Sequence, residues 1–182
     1  SIVYTCRKLK GIDYALSTNT DLYQYDLATK NTINLTEGMM GYDVNPIFSP
    51  DGNMLAWQSM ARNGYEADKY RLFVMDLKTR NKRDITENFD ANANDLTWNE
   101  DSKSIYFLSE HLGSVEVFNV NLDETTPRQI TEGTHDYVGI QLAENSLIAM
   151  KQSMSKPTEI YKVNIENGED TELSFVNKDI LD

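Results

Sequence analysis

The sequence predicts an all-β protein, a partial β-propeller of about four four-stranded blades. Three observations predict it. A strand motif recurs four times, as DLYQYDL at 21, RLFVMDL at 71, EVFNVNL at 116 and EIYKVNI at 159. Each copy leads through a polar turn into a second short strand, TINLTEG, KRDITEN, PRQITEG or DTELSFV. Two landmarks keep step: Leu27, Leu77, Leu122 and Ile165 are spaced 50, 45 and 43 apart, and Thr36, Thr86, Thr131 and Ser174 repeat those intervals. The second observation is VNPIFSPDGNMLAWQS, which aligns with NDLTWNEDSKSIYFLS at an offset of 50 and more weakly with VGIQLAENSLIAMKQS. The third is that Tyr23, Phe73, Phe118 and Tyr161 sit beside Leu22, Leu72, Val117 and Ile160. Neighbours on a strand face opposite sides, so both sides are apolar, as in a blade packed between two others.

Each unit reads as strand, tight turn, strand, variable loop, strand, turn, strand. The first, 1–41, opens on SIVYTC, a strand already under way, and lacks its first strand. The natural protein is therefore expected to begin earlier. The second unit, 42–90, carries Ser49-Pro50-Asp51-Gly52 between its first two strands. Proline presets φ, aspartate bonds the local backbone, and glycine tolerates the left-handed conformation that lets the hairpin twist. The corner is structural and receives no catalytic role. In the third unit, 91–134, and the fourth, 135–176, it decays to NEDSK and AENS. Residues 177–182 read as the start of an exit strand or a linker.

The totals agree with a single ordinary domain. Hydrophobic residues at 40% and charged residues at 25% are globular values, and ten Tyr, six Phe and two Trp suit strands. A net charge of -12 argues against a nucleic-acid or anionic-membrane partner and mildly favours cationic ligands. Cys6 is the only cysteine, which excludes an intrachain disulfide and a multi-thiolate metal site. No apolar run approaches the roughly 20 residues of a membrane helix, and no signal peptide is visible. No cofactor or metal is expected. DANANDLTWNED at 90–101 echoes a calcium loop, but Asp95 stands where glycine belongs and Asp101 where the bidentate Glu belongs, so a strand is the better reading. NLT at 34–36 fits the glycosylation pattern yet lies on a repeat strand.

The motif NPIFSPDGNMLAWQSM resembles the repeat of TolB-like propellers, related to WD40-like repeats, and of propeller domains in the prolyl oligopeptidase family of serine peptidases. ARNGYEADKYRLFVMDLKTRNKRDITENFD, with STNTDLYQYDL, ITEGTHDY and SMSKPTEIY, is more specifically similar to the dipeptidyl-peptidase V and acylaminoacyl-peptidase-like enzymes of bacteria related to Bacteroides. The resemblance covers nearly the whole chain. It implies a propeller that caps an α/β-hydrolase domain with a Ser-Asp-His triad, screens short peptides and helps hold their free ends. In such proteins a stretch like VNKDIL shortly precedes the hydrolase domain, and the resemblance alone points to a periplasmic or secreted location.

The chain departs from the family in one respect. No G-x-S-x-G elbow occurs in it, and His111 and His135 sit in repeat loops, so the chain alone is expected to be inactive. The candidate site is the loop ARNGYEADKYR at 61–71, with Tyr65, Glu66 and Asp68. In a related branch, propeller carboxylates hold the substrate's free α-amine. Glu66, with Asp68, is the candidate for that role; the plainer reading pairs Glu66 or Asp68 with Lys69 or Arg71 on a solvated loop. Asp13 and Tyr14 in the equivalent loop one blade earlier are weaker candidates. Two functions remain open: an accessory segment of a serine exopeptidase, and a stand-alone TolB-like scaffold for protein contacts.

Overall fold

The computed structural model describes residues 1–181 and falls into two compact units, 1–84 and 85–182, each considered by itself. The first unit holds two antiparallel sheets. One orders β1 (Ile2–Cys6), β2 (Asp21–Tyr25) and β3 (Thr32–Asn34) consecutively, with a one-turn helix, α1 (Ile12–Leu16), in the loop after β1. The other orders β4 (Asp43–Phe48), β5 (Met54–Ser59), β6 (Arg71–Asp76) and β7 (Lys82–Asp84). The second unit continues the meander with β8 (Asn94–Trp98), β9 (Ser104–His111), β10 (Ser114–Asn121) and β11 (Arg128–Gln129), and one parallel pair, Val115 with Asp136, joins this blade to the next in a single eight-stranded sheet. Its second blade comprises β12 (Asp136–Ala143), β13 (Ser146–Ser153), β14 (Lys156–Asn164) and β15 (Asp170–Glu172), followed by α2 (Lys178–Leu181). The fold is the all-β, propeller-type array of meandering blades that the repeats predict.

A polar latch explains why one landmark of the repeat is a hydroxyl. Thr36 Oγ1 accepts the Leu22 N–H at 3.0 Å and donates to Asp21 at 3.2 Å. Thr131 Oγ1 accepts the Val117 N–H at 2.9 Å and donates to Glu116 at 2.6 Å. Ser174 accepts the Ile160 N–H at 2.8 Å and donates to Glu159. In each case the hydroxyl, just past the fourth strand, fastens that strand's end to a carboxylate in the third. Arg71 replaces the acid in the second blade and donates instead to the Ser59 and Met60 carbonyls, at 3.3 and 3.2 Å.

The corners repeat as well. At the first corner, Ser49 donates to Asp51 at 2.6 Å and accepts the Met54 N–H at 2.9 Å, while Gly52 has φ 72°. Ser102 takes the same position 50 residues on with φ 59°, so the left-handed conformation survives the loss of glycine. Between third and fourth strands, Lys30 and Arg80 adopt φ 62° and 64°, and Gly168 occupies the equivalent place at 74°. Bulges interrupt the first strands of three blades, between Val44 and Ile47, Asn94 and Thr97, and Tyr137 and Gly139.

Each unit has its own core. Leu22, Leu35, Leu55, Trp57 and Met75 are buried together in the first, with the Trp57 and Phe73 rings 5.5 Å apart. In the second, Tyr106, Leu108, Val117 and Ile130 of one blade meet Tyr137, Ile140, Leu147, Ala149 and Val163 of the next. The expectation of two buried sides holds for Leu22 and Tyr23 and for Val117 and Phe118. In the last blade Tyr161 is buried, whereas Ile160 is half exposed on the opposite face.

Candidate functional site

Antiparallel order places the loop between the second and third strands of a blade at the same end as the entry to its first strand. In the first unit this end is built from two insertions, residues 7–20 and 60–70. A parallel bridge joins Thr20 to Tyr42, and Thr20 Oγ1 donates to the Asp43 carbonyl at 3.2 Å. Asn63 Oδ1 accepts the Thr18 N–H at 2.8 Å and the Ser17 hydroxyl at 3.0 Å, while the Gly64 N–H donates to Thr18 Oγ1 at 2.7 Å. These bonds tie the two insertions into one polar rim.

On that rim the three candidates have different surroundings. Arg62 forms a forked ion pair with Asp68, its Nε lying 3.0 and 3.1 Å from the two carboxylate oxygens. Donation from the guanidinium holds the Asp68 carboxyl below the ordinary range. The same guanidinium lies 4.0 Å from the centre of the Tyr65 ring, a cation–π contact. Asp68 thus pairs with Arg62, six residues earlier in the loop. Glu66 is exposed and accepts the Tyr42 hydroxyl at 3.3 Å. It is the carboxylate of the loop that points outward with a neutral partner. Tyr14 stands under Arg7, 5.1 Å from its ring centre, and Asp13 lies in the first turn of α1.

Beneath this rim Asp43 is wholly buried and accepts the Trp57 indole N–H at 3.0 Å. Burial pushes its carboxyl up to about 6, against the lowering effect of its donors.

The second unit carries a separate polar cluster at the corresponding end of its blades. Glu116 and His135 meet there, with His135 Nε2 3.6 Å from Glu116 Oε2. His135 also stacks edge-on against Tyr137 at 4.9 Å, and Tyr137 donates to Asp170 at 2.6 Å. Lys151 pairs with Asp170 and Lys156 with Glu172. His111 sits at the end of β9, against Phe118. Sequence reasoning did not single out Glu116 or Asp43. Glu116 occupies the acid position of the repeated latch, so its place in the third strand was visible; its neighbours were not. Residues 94–98 form β8, in agreement with the strand reading of the calcium-like stretch. Among the described residues no group of His, Cys, Asp and Glu side chains is arranged to hold a metal ion.

Comparison with known proteins places these features in context. The family model described as the TolB beta propeller domain matches residues 16–180. Dipeptidyl-peptidase 5 of Porphyromonas gingivalis is 43% identical over 182 residues, covering 100% of this chain and 27% of that protein. TolB from Acinetobacter baumannii superposes with a TM-score of 0.69 at 18% identity, over 96% of this chain and 41% of that one. Pyrococcus horikoshii acylaminoacyl peptidase superposes with a TM-score of 0.68 at 22% identity, over 88% of this chain and 23% of that one. At these identities the two structural likenesses show the fold alone. The chain spans about a quarter of the length of the curated relatives it matches.

Proposed function

This chain belongs to the TolB β-propeller domain family, and on that premise we propose that it is the non-catalytic propeller segment of a serine exopeptidase of the dipeptidyl-peptidase type. The observation that carries the reading is the 43% identity to a dipeptidyl-peptidase 5 that runs along the entire chain and covers about a quarter of that protein. The hydrolytic residues are then supplied by an α/β-hydrolase domain outside these 182 residues, in keeping with the missing serine elbow. The blade boundaries 1–41, 42–90, 91–134 and 135–176 belong to the same proposal.

In this reading the segment screens short peptides and Glu66 holds their free α-ammonium group. Two features of the rim support that role. Asn63, Thr18 and Gly64 brace the loop, which lowers the cost of ordering it on binding. Arg62 neutralises Asp68, leaving Glu66 as the carboxylate available for a charge-assisted bond. Tyr65 and Asp68 then act by positioning Arg62 and the loop.

The test uses the full-length protein and paired substrates with free and acetylated N-termini. Glu66→Gln is expected to raise KM for the free peptides roughly three- to tenfold, about 1 kcal/mol, with kcat and the acetylated series unchanged. Equal effects on both series, or none on either, would remove Glu66 from substrate binding.

A further inference from the structure

We propose that Asn63 is a site of spontaneous covalent change, its side chain closing onto the Gly64 nitrogen, and that the hydroxyl of Thr18 guards it. Asn63-Gly64 and Asn167-Gly168 are the two Asn-Gly pairs of the chain. Glycine puts no side chain in the path of its own nitrogen, so ring closure meets least resistance in such a pair. The Gly64 nitrogen, having lost its proton to hydroxide, attacks Asn63 Cγ. The Cγ–Nδ2 bond breaks, Nδ2 leaves as ammonia with a proton from water, and a succinimide remains. Water then adds to one of the two ring carbonyls and the ring opens. The product is aspartate, or isoaspartate, in which the main chain runs through the former side chain.

The two pairs are held differently. Gly168 is wedged against the backbone: a Cβ there would lie 2.0 Å from the Ile130 carbonyl oxygen, and its N–H donates to the Asn164 carbonyl at 2.9 Å. Asn167 turns its amide onto Glu169, accepting that residue's N–H at 3.1 Å and donating to its carboxylate at 2.9 Å. Gly64 is exposed at φ 82°, and a Cβ there would meet nothing within 4 Å. Space does not oppose a ring at Asn63; hydrogen bonds do. Asn63 Oδ1 accepts the Thr18 N–H at 2.8 Å, the Ser17 hydroxyl at 3.0 Å and the Thr18 hydroxyl at 3.3 Å. The Gly64 N–H donates to Thr18 Oγ1 at 2.7 Å. Attack would leave the deprotonated nitrogen facing the oxygen that had accepted its proton, and the carboxamide would have to abandon its donors. Closure therefore proceeds from the opened loop, and the opening equilibrium sets its rate. Isoaspartate then adds a methylene to the main chain where bonds to residues 17 and 18 fix the register. The modified loop cannot keep the full set of those bonds, so the segment that carries Glu66 loses its brace, and the change runs one way.

The test ages full-length protein in mildly alkaline buffer and follows the tryptic peptides spanning Asn63 and Asn167 by mass, with isoaspartate detected by enzymatic methylation. The free peptide ARNGYEADKYR, residues 61–71, gives the unguarded rate. Asn63 in the folded protein is expected to convert about tenfold or more slowly than in that peptide. Thr18→Val removes both bonds of the hydroxyl and is expected to speed conversion roughly five- to fiftyfold. Asn167 must keep its rate in that variant, which shows the fold intact. If both sites accelerate, Ser17→Ala decides, since it removes one donor and leaves Thr18 in place; the expected gain is roughly two- to tenfold at Asn63 alone. Conversion in the folded protein at the free-peptide rate, no conversion at Asn63 in any of the three proteins, or a rate indifferent to both substitutions would overturn the assignment.

Discussion

Asp43 lies under the Trp57 indole with its carboxyl pushed up to about 6 by burial, so it holds its proton in the folded chain where the unfolded chain has lost it. Between the ordinary value of 3.8 and about 6 the folded state binds more protons, so stability falls as pH rises through that window. The full penalty above pH 6 is roughly 3 kcal/mol. Asp43→Asn keeps an acceptor for Trp57 and is predicted to flatten this part of the profile, measured as urea midpoint against pH; an unchanged slope would mean the carboxyl titrates normally. Glu159 has the opposite sign. Donors from Ser174 and Asn177 lower its carboxyl to about 2, so its stabilisation is present above pH 4.5 and fades as pH falls towards 2. Residues of this kind were only partly legible in the sequence. The hydroxyl landmarks at Thr36, Thr131 and Ser174 were visible because the latch demands them in every copy. The pairing of Asp68 with Arg62 was not, since the curl of the loop decides it and Lys69 and Arg71 lie nearer along the chain.

At the scale of the element, the turns show how much local strain the repeat tolerates. Lys30 and Gly168 fill the same left-handed position, one with a side chain and one without. Lys30 is exposed, and its backbone N–H donates to the Asp26 carbonyl at 2.9 Å as Gly168 does to Asn164. Lys30→Gly is therefore predicted to stabilise by roughly 0.5–1 kcal/mol, the relief of positive φ exceeding the entropy of glycine. Gly168→Ala goes the other way: its Cβ would lie 2.0 Å from the Ile130 carbonyl oxygen, a backbone atom that cannot rotate aside. A loss of about 2–4 kcal/mol is expected, a fall in Tm of several degrees. Thermal melts of the two variants check both signs at once. The strand plan was legible because two-sided burial writes itself as adjacent apolar residues. The α1 helix was not, because it buries none of its residues and so leaves no periodic trace. Neither was the left-handed turn at Ser102 or Glu144, where no glycine announces it.

Across the molecule, the same wedge is written four times with its chemistry concentrated at one end of each blade. The strands, latches and turns are shared, and what varies is the loop between second and third strands. That loop is long and braced at 60–70, where it carries Glu66, and short at 111–114, in the blade that carries Glu116. No helix among the described residues is long and apolar enough to cross a membrane. The division of labour, with recognition on the blades and hydrolysis elsewhere, is the central claim. It is tested most directly by treating the full-length protein with a fluorophosphonate, which phosphonylates nucleophilic serines with loss of fluoride, and mapping the adduct by peptide mass spectrometry. One modified serine outside residues 1–182, with loss of dipeptide release, is the predicted result. An adduct on a serine within this chain, or dipeptide release that survives without any adduct, would contradict it.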